Sequence, residues 1–166
     1  ALDVPPTIGR FTKLEALLLM NCVKSLPSEV GNLKNLSFLA LPNNPSLKEI
    51  PDSISKLRNL QYLIMSRNRL ERLPKNIGEM KNLRHLNVNQ NEIEMLPYSF
   101  GFLENLEVAD LWSNNLDHFP ETLTRLKNLK VMDLRNILIP QANQDKIQSM
   151  LPHTKIYFSA ACNCSW

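Results

Sequence analysis

LQYLIMSRNRLERLPKNIGEM, residues 60–80, is the stretch whose reading decides the fold. Leu60, Leu63 and Met65 stand at positions 1, 4 and 6 of this frame. Asn68 follows at position 9, Leu70 and Leu73 at 11 and 14, and then Pro74, Ile77, Gly78 and Met80. In a short strand successive side chains alternate between faces. Positions 4 and 6 therefore point inward, and positions 3 and 5, Tyr62 and Ile64, point outward.

The same frame recurs along the chain. LRHLNVNQNEIEMLPYSFGFL at 83–103 and LEVADLWSNNLDHFPETLTRL at 106–126 repeat it nearly residue for residue. The anchors are Leu14, Leu36, Leu60, Leu83, Leu106 and Leu129, spaced 22, 24, 23, 23 and 23 residues apart. The first unit loses a residue after Cys22, and the second gains one within PNNPSL, residues 42–47. Both read as loop adjustments on the rim. One unit cannot bury its apolar face alone, so stacked units must share one continuous core. Each framed leucine contributes about 1.5–3 kcal/mol when buried.

This consensus, L-x-x-L-x-L-x-x-N-x-L-x-x-L-P-x-x-I-G-x-L-x-N, resembles the leucine-rich repeat family over residues 2–139. It is similar to the proline-containing 23-residue class of Ras-suppressor-like, plant intracellular and bacterial repeat proteins. The resemblance implies an α/β solenoid with a concave parallel β-sheet, short convex helical turns and a C-terminal cap. The expected organisation is the tail of a truncated preceding repeat at 1–13, six units at 14–139, and the cap with its tail at 140–166. Residues 141–151 read as a helix with Ile147, Met150 and Leu151 on its apolar stripe, and residues 155–158 as a last strand. The strand near Leu14 to Leu19 is then an uncapped edge.

Position 9 carries Cys22, Asn44, Asn68, Asn91, Asn114 and then Ile137. Asparagine offers donors and an acceptor together, so it is expected to bond backbone groups of its own unit and of the next. Cys22 is a family substitute there, and its role is structural. Pro27, Pro51, Pro74, Pro97 and Pro120 open the convex segments, where a missing N–H is harmless. Gly9, Gly31, Gly78 and Gly101 belong to the convex turns and do not form a phosphate cradle.

The chain of 166 residues fits one domain. Nineteen basic residues against sixteen acidic ones leave a formal charge of +3, too mild to suggest nucleic acid or a membrane surface. No apolar run approaches the roughly 18 residues of a membrane helix. Three cysteines, with Cys162 and Cys164 too close for an easy bridge, exclude a disulfide scaffold. No His/Cys spacing fits zinc, and no nucleophile elbow, phosphate loop or Ser/His/Asp motif occurs. The reading is a non-catalytic protein with no cofactor.

Function therefore falls to the outward strand columns, because in this family ligands usually meet the concave sheet. Neighbouring strands lie roughly 5 Å apart, so equivalent positions line up. Phe38, Tyr62 and Ile64, with Leu18, make an apolar field toward the N-terminal end. His85, Asn87, Asp110 and Asp133 make the sheet polar toward the other end. Trp112 occupies position 7 beside Asn89, Asp110 and Arg135, and exposed Trp near Arg is the composition of a binding hot spot. Packing over its neighbours is the competing reading of Trp112. The contact anchors are Phe38, Tyr62, Ile64, His85 and Trp112, with Arg67, Asn87, Asp110 and Arg135 fixing orientation. Asp110 and Asp133 read as solvated charges, neutralised by Arg135 and Lys130. The convex row Lys34, Arg58, Lys81 and Lys127, interrupted by Glu104, reads as a solvated face.

The expected function is recognition of an unidentified protein on the concave face, with no nucleic acid and no membrane insertion. A targeting module of a larger enzyme or signalling protein, and a surface protein self-associating through the N-terminal edge, are the alternatives. The resemblance leaves open both a bacterial secreted or surface setting and a cytosolic adaptor.

Overall fold

The computed structural model describes residues 1–160. Cys162, Cys164 and the rest of the expected C-terminal tail beyond Ala160 lie outside the described residues. β1 (Leu2–Asp3) and β3 (Val23–Ser25) form a two-stranded parallel pair. The main sheet has seven parallel strands in one order. They are β2 (Ala16–Leu18), β4 (Phe38–Ala40), β5 (Tyr62–Ile64), β6 (His85–Asn87), β7 (Val108–Asp110), β8 (Val131–Leu134) and β9 (Lys155–Phe158). Each pairs in exact unit register, so Phe38 lies opposite Tyr62, Tyr62 opposite His85 and His85 opposite Val108. The sheet follows the order of the units because each one lays its strand directly on the one before, and the convex segment carries the chain back between them.

Strand length is set by position 8. Asn21, Asn43, Arg67, Gln90, Ser113 and Asn136 all have left-handed backbone, with φ between 52° and 60°. That residue ends the strand and turns the chain into the core. Its own N–H is not wasted: Arg67, Gln90 and Ser113 donate to the position-7 carbonyls of Asn89, Trp112 and Arg135 at 2.8–2.9 Å.

Because the strand stops there, the position-6 carbonyls lack a ladder partner, and position 9 supplies one. Asn91 Nδ2 donates to the carbonyls of Val88 and Met65 at 2.9 Å each, and Asn91 Oδ1 accepts from the Leu70 N–H at 2.9 Å. Asn68 and Asn114 repeat the pattern, and Asn44 Oδ1 accepts from Cys22 and Val23 N–H. These bonds run to each residue's own unit and to the preceding one, not to the next as expected. The reason is that the carbonyl left open by the previous strand faces forward along the stack. A second amide ladder, formed by Asn35, Asn59, Asn82, Asn105 and Asn128, reaches back to a carbonyl of the preceding unit on the convex entry side. Among the described residues no buried side-chain polar atom is left unpaired.

The convex segments are 3₁₀ turns opened by proline, at Pro6–Arg10, Ser28–Asn32, Asp52–Lys56, Ile77–Glu79, Tyr98–Phe102 and Glu121–Arg125. Their inward residues Val30, Ile54, Ile77, Phe100 and Leu123 join the strand leucines in one apolar cluster. α1 (Gln141–Met150) follows the sixth unit and buries Ile147, with Leu151 just beyond it. Thr154 Oγ1 then donates to the Leu129 carbonyl at 2.8 Å as the chain enters β9. Where Asn would continue the position-9 ladder, Ile137 is buried against this terminal layer.

Candidate functional site

The concave face is built from the outward residues of three-residue strands. Its position-3 column brings Phe38, Tyr62 and His85 together as a row of rings. Tyr62 stacks on His85 with centroids 4.8 Å apart and planes 7° from parallel. Phe38 tilts at 42° against Tyr62, 6.2 Å away. Register alone produces this row, since a parallel pair places equivalent residues one strand apart. Tyr62 keeps 38% of its surface exposed and Leu18 56%. Ile64 lies beside them, between Ala40 and Asn87 in the next column. Ala40 departs from the outward reading of position 5. It is buried, because its methyl is too short to rise above the longer side chains at Leu18 and Ile64 on either side.

Toward the other end the column turns polar. Asn89 Nδ2 donates to Asp110 Oδ2 at 2.7 Å, and the Trp112 N–H to Asp110 Oδ1 at 3.3 Å. The Asn87 side-chain oxygen accepts from the Asn89 N–H at 3.1 Å. Asp110 thus stands among hydrogen-bond donors, with no cation within salt-bridge distance among the described residues. Asp133, its neighbour in register, is different. Arg135 grips it with Nε and Nη2 at 2.6–3.2 Å and donates its backbone N–H as well. Burial pushes the Asp133 carboxyl up, but these bonds to Arg135 outweigh it and hold the group below its usual range. Asp133 raises the Arg135 guanidinium in return.

Lys130 does not neutralise the aspartates. It pairs at 2.6 Å with Glu107, which Arg84 also holds at 2.7 Å. Position 2 sits on the entry rim, so Lys130 reaches its counterpart in the preceding strand rather than across the sheet. Lys130 first and then Arg84 hold the Glu107 carboxyl below its usual range.

Trp112 lies on the exit rim. It bounds an open groove of about 500 Å³ together with Asn89, Gln90, Ser66 and Arg67. Arg67 Nε donates to Gln90 Oε1 at 2.9 Å. Arg135 turns away from Trp112, toward Asp133 and over the Tyr157 ring at 5.4 Å. The structure therefore gathers Phe38, Tyr62, Ile64 and His85 into one patch, Asn87 and Asp110 into the adjoining polar field, and Arg67 and Trp112 into the rim groove. Arg135 belongs with Tyr157.

Two features escaped sequence reasoning. Tyr157 extends the position-5 column opposite Asp133, a placement the reading of residues 155–158 as a strand could have found. Its hydroxyl side also raises Lys155, by a hydrogen bond and by charge. The second feature is an aromatic pair on the convex face, Tyr98 and Phe102, at turn positions where no other 3₁₀ turn has an aromatic. Among the described residues no group of three or more His, Cys, Asp or Glu side chains could hold a metal ion. No helix there is long and apolar enough to cross a membrane.

Comparison with known proteins follows this geometry. Residues 5–89 match the family pattern described as leucine-rich repeat region, and residues 82–103 a single leucine rich repeat. No curated protein matches the chain. Among solved structures it is similar to a leucine-rich repeat protein of Leptospira interrogans, at 32% identity and TM-score 0.88, covering 94% of this chain and 40% of that one. An internalin of Listeria monocytogenes shares the fold at 19% identity and TM-score 0.77, covering 96% and 45%. The repeat ectodomain of a plant membrane receptor kinase from Arabidopsis thaliana, solved in complex with Casparian strip integrity factor 2, is 25% identical. Its TM-score is 0.74, covering 95% of this chain and 19% of that one. The chain thus spans less than half the length of each of these structures.

Proposed function

Because this chain belongs to the leucine-rich repeat family, whose solenoids are commonly non-catalytic scaffolds for protein–protein interaction, we propose that it recognises a protein partner on its concave sheet. The observation that carries this reading is the stacked row Phe38–Tyr62–His85, in which Tyr62 is exposed and its two neighbours half-buried, beside exposed Leu18 and half-buried Ile64. Aromatic side chains bury much area on binding at little conformational cost, which is why they dominate interface hot spots. The row is already ordered by stacking, so little freedom is lost when a partner covers it. Asp110 and Asn87 fix orientation at one end of the patch, Arg135 does so from its place beside Tyr157, and Trp112 with Arg67 grips the partner at the rim. The plant receptor ectodomain, crystallised in complex with Casparian strip integrity factor 2, supports a peptide or protein partner by likeness.

The test compares capture of partners by the parent and by a Tyr62→Ala/Trp112→Ala variant whose melting curve shows it folded. A partner held by the parent and lost by the variant supports the concave site. Equal capture by both overturns it.

A second reading rests on the free edge of β2. Among the described residues that strand pairs with β4 alone, and Leu18 within it and Met20 just after it are exposed. An unpaired edge beside apolar side chains is a template for another strand, so a second copy could add there. Sedimentation at rising concentration tests this, and a monomer throughout rejects it.

A further inference from the structure

The convex face carries a feature that concave recognition does not use. After Pro27, Pro51, Pro74, Pro97 and Pro120 come Ser28, Asp52, Lys75, Tyr98 and Glu121, and the last residues of those turns are Asn32, Lys56, Glu79, Phe102 and Arg125. Only the fourth unit places aromatics at these two positions. Neither ring serves the core, because Phe100 already fills that turn's inward site. Tyr98 is 69% exposed and meets Phe102 edge-on at 5.7 Å.

Arg125 lies against this pair, its guanidinium 4.7 Å from the centre of the Phe102 ring. Four cations that flank the repeats face an acid one unit on: Arg58 faces Glu79, Arg69 Glu92, Lys81 Glu104 and Arg84 Glu107. Lys81, 5.8 Å from the same ring, is committed to Glu104. The Arg125 side chain makes no ion pair or hydrogen bond among the described residues. A guanidinium stacked on an aromatic ring keeps its planar fork of donors free and ordered, which suits a carboxylate. Open grooves of about 440 and 540 Å³ adjoin it on its two sides. Lys127 stands in the first, and Lys146 and Met150 in the second, along with Glu104 and Glu121.

From this geometry we infer a second contact surface on the convex face of the fourth and fifth units, which takes an acidic peptide segment bearing an aromatic or large aliphatic side chain. Arg125 binds a carboxylate of that segment through its free fork. Lys127 and Lys146 face further acidic groups, and the apolar side chain rests on Tyr98 and Met150.

The probe is a fluorescein-labelled peptide with two acidic residues on each side of one phenylalanine, titrated against the chain by anisotropy. Three comparison probes keep the label: the peptide with serine for phenylalanine, the peptide with lysines for its acids, and a single-stranded oligonucleotide. Saturable binding of the first, stronger than to all three others and weakened about tenfold or more by Arg125→Gln, is the expected result. Arg125→Lys should recover only part of the loss, because it keeps the charge without the fork. The Tyr62→Ala/Trp112→Ala variant should bind this peptide as the parent does, which separates the convex surface from the concave one. No saturable binding, equal binding by Arg125→Gln, or preference for the oligonucleotide overturns the inference. Arg125 and Tyr98 are surface residues, and matched melting curves confirm that their variants fold.

Discussion

Gly78 and Ser99 meet at the convex surface so closely that an added Cβ on Gly78 would sit 2.0 Å from the Ser99 carbonyl oxygen. The Gly78 N–H also points at Ser99 Oγ at 3.3 Å, while that hydroxyl donates to the Lys75 carbonyl at 2.6 Å. The need for glycine here is steric, since its φ is not positive. Gly78→Ala must therefore part the third and fourth units at their shared interface, where each repeat draws its stability. The expected loss is about 2–3 kcal/mol, read as a fall in the urea midpoint. Gly9→Ala, whose Cβ would come no nearer than 2.9 Å to Glu29, should cost less. A Gly78→Ala variant as stable as the parent would refute the close approach.

The buried amide of Asn91 invites a chemical test. Its loss in Asn91→Ala strands the Met65 and Val88 carbonyls and the Leu70 N–H together. Each unmet buried group costs about 1–3 kcal/mol, so a total on the order of 3–5 kcal/mol is expected from chemical denaturation. Asn91→Asp keeps the acceptor but aims a carboxylate at two carbonyls. Its burden should grow as pH rises through the raised folded pKa of that new acid, since the charged form is the one disfavoured. Equal stability of Asn91→Asp at acidic and neutral pH would contradict the bonding pattern.

Arg67 adopts φ 55° at position 8, where three other units have Asn. Left-handed backbone disfavours residues with a Cβ by roughly 1–2 kcal/mol, and Asn less than most. Arg67→Asn should stabilise the chain by about 0.5 kcal/mol, even after losing the exposed bond to Gln90. Arg67→Val should destabilise it by more than 1 kcal/mol, on the order expected for a β-branched residue in this region. Thermal melts of the two variants must move in opposite directions for the assignment to stand.

Much of this was legible from leucine spacing, because burial forces period two onto each short strand and one core onto all units. The row Phe38–Tyr62–His85 follows from register once the anchors are placed. What spacing does not carry is the direction of side-chain bonds. Asn68 and Asn91 reach backward because the open carbonyl lies in the preceding unit. Lys130 chooses Glu107 over the aspartates because position 2 sits on a different rim. Ala40 sinks simply because its neighbours are longer. Tyr98 and Phe102 are hidden from spacing for another reason: a feature confined to one unit leaves no periodic trace.

The carboxylates of Asp133 and Glu107 give the fold a dependence on pH whose sign can be worked out. Both are held below their usual ranges, Asp133 by Arg135 against the opposing push of burial, and Glu107 by Lys130 and then Arg84. A lowered folded pKa means that the ionised form stabilises the fold. That contribution is complete above the ordinary carboxylate values, about 4, and is lost as pH falls through the lower folded values. Asp133→Asn and Glu107→Gln remove it at the start. The parent should therefore melt higher than either variant at neutral pH, and the gap should close as pH drops toward about 3. Raised salt should narrow the gap for the more exposed cluster of Arg84, Glu107 and Lys130 more than for Arg135 and Asp133, whose bidentate bonds are less screened. A gap that stays constant from neutral to acidic pH would mean that these side chains act by shape alone.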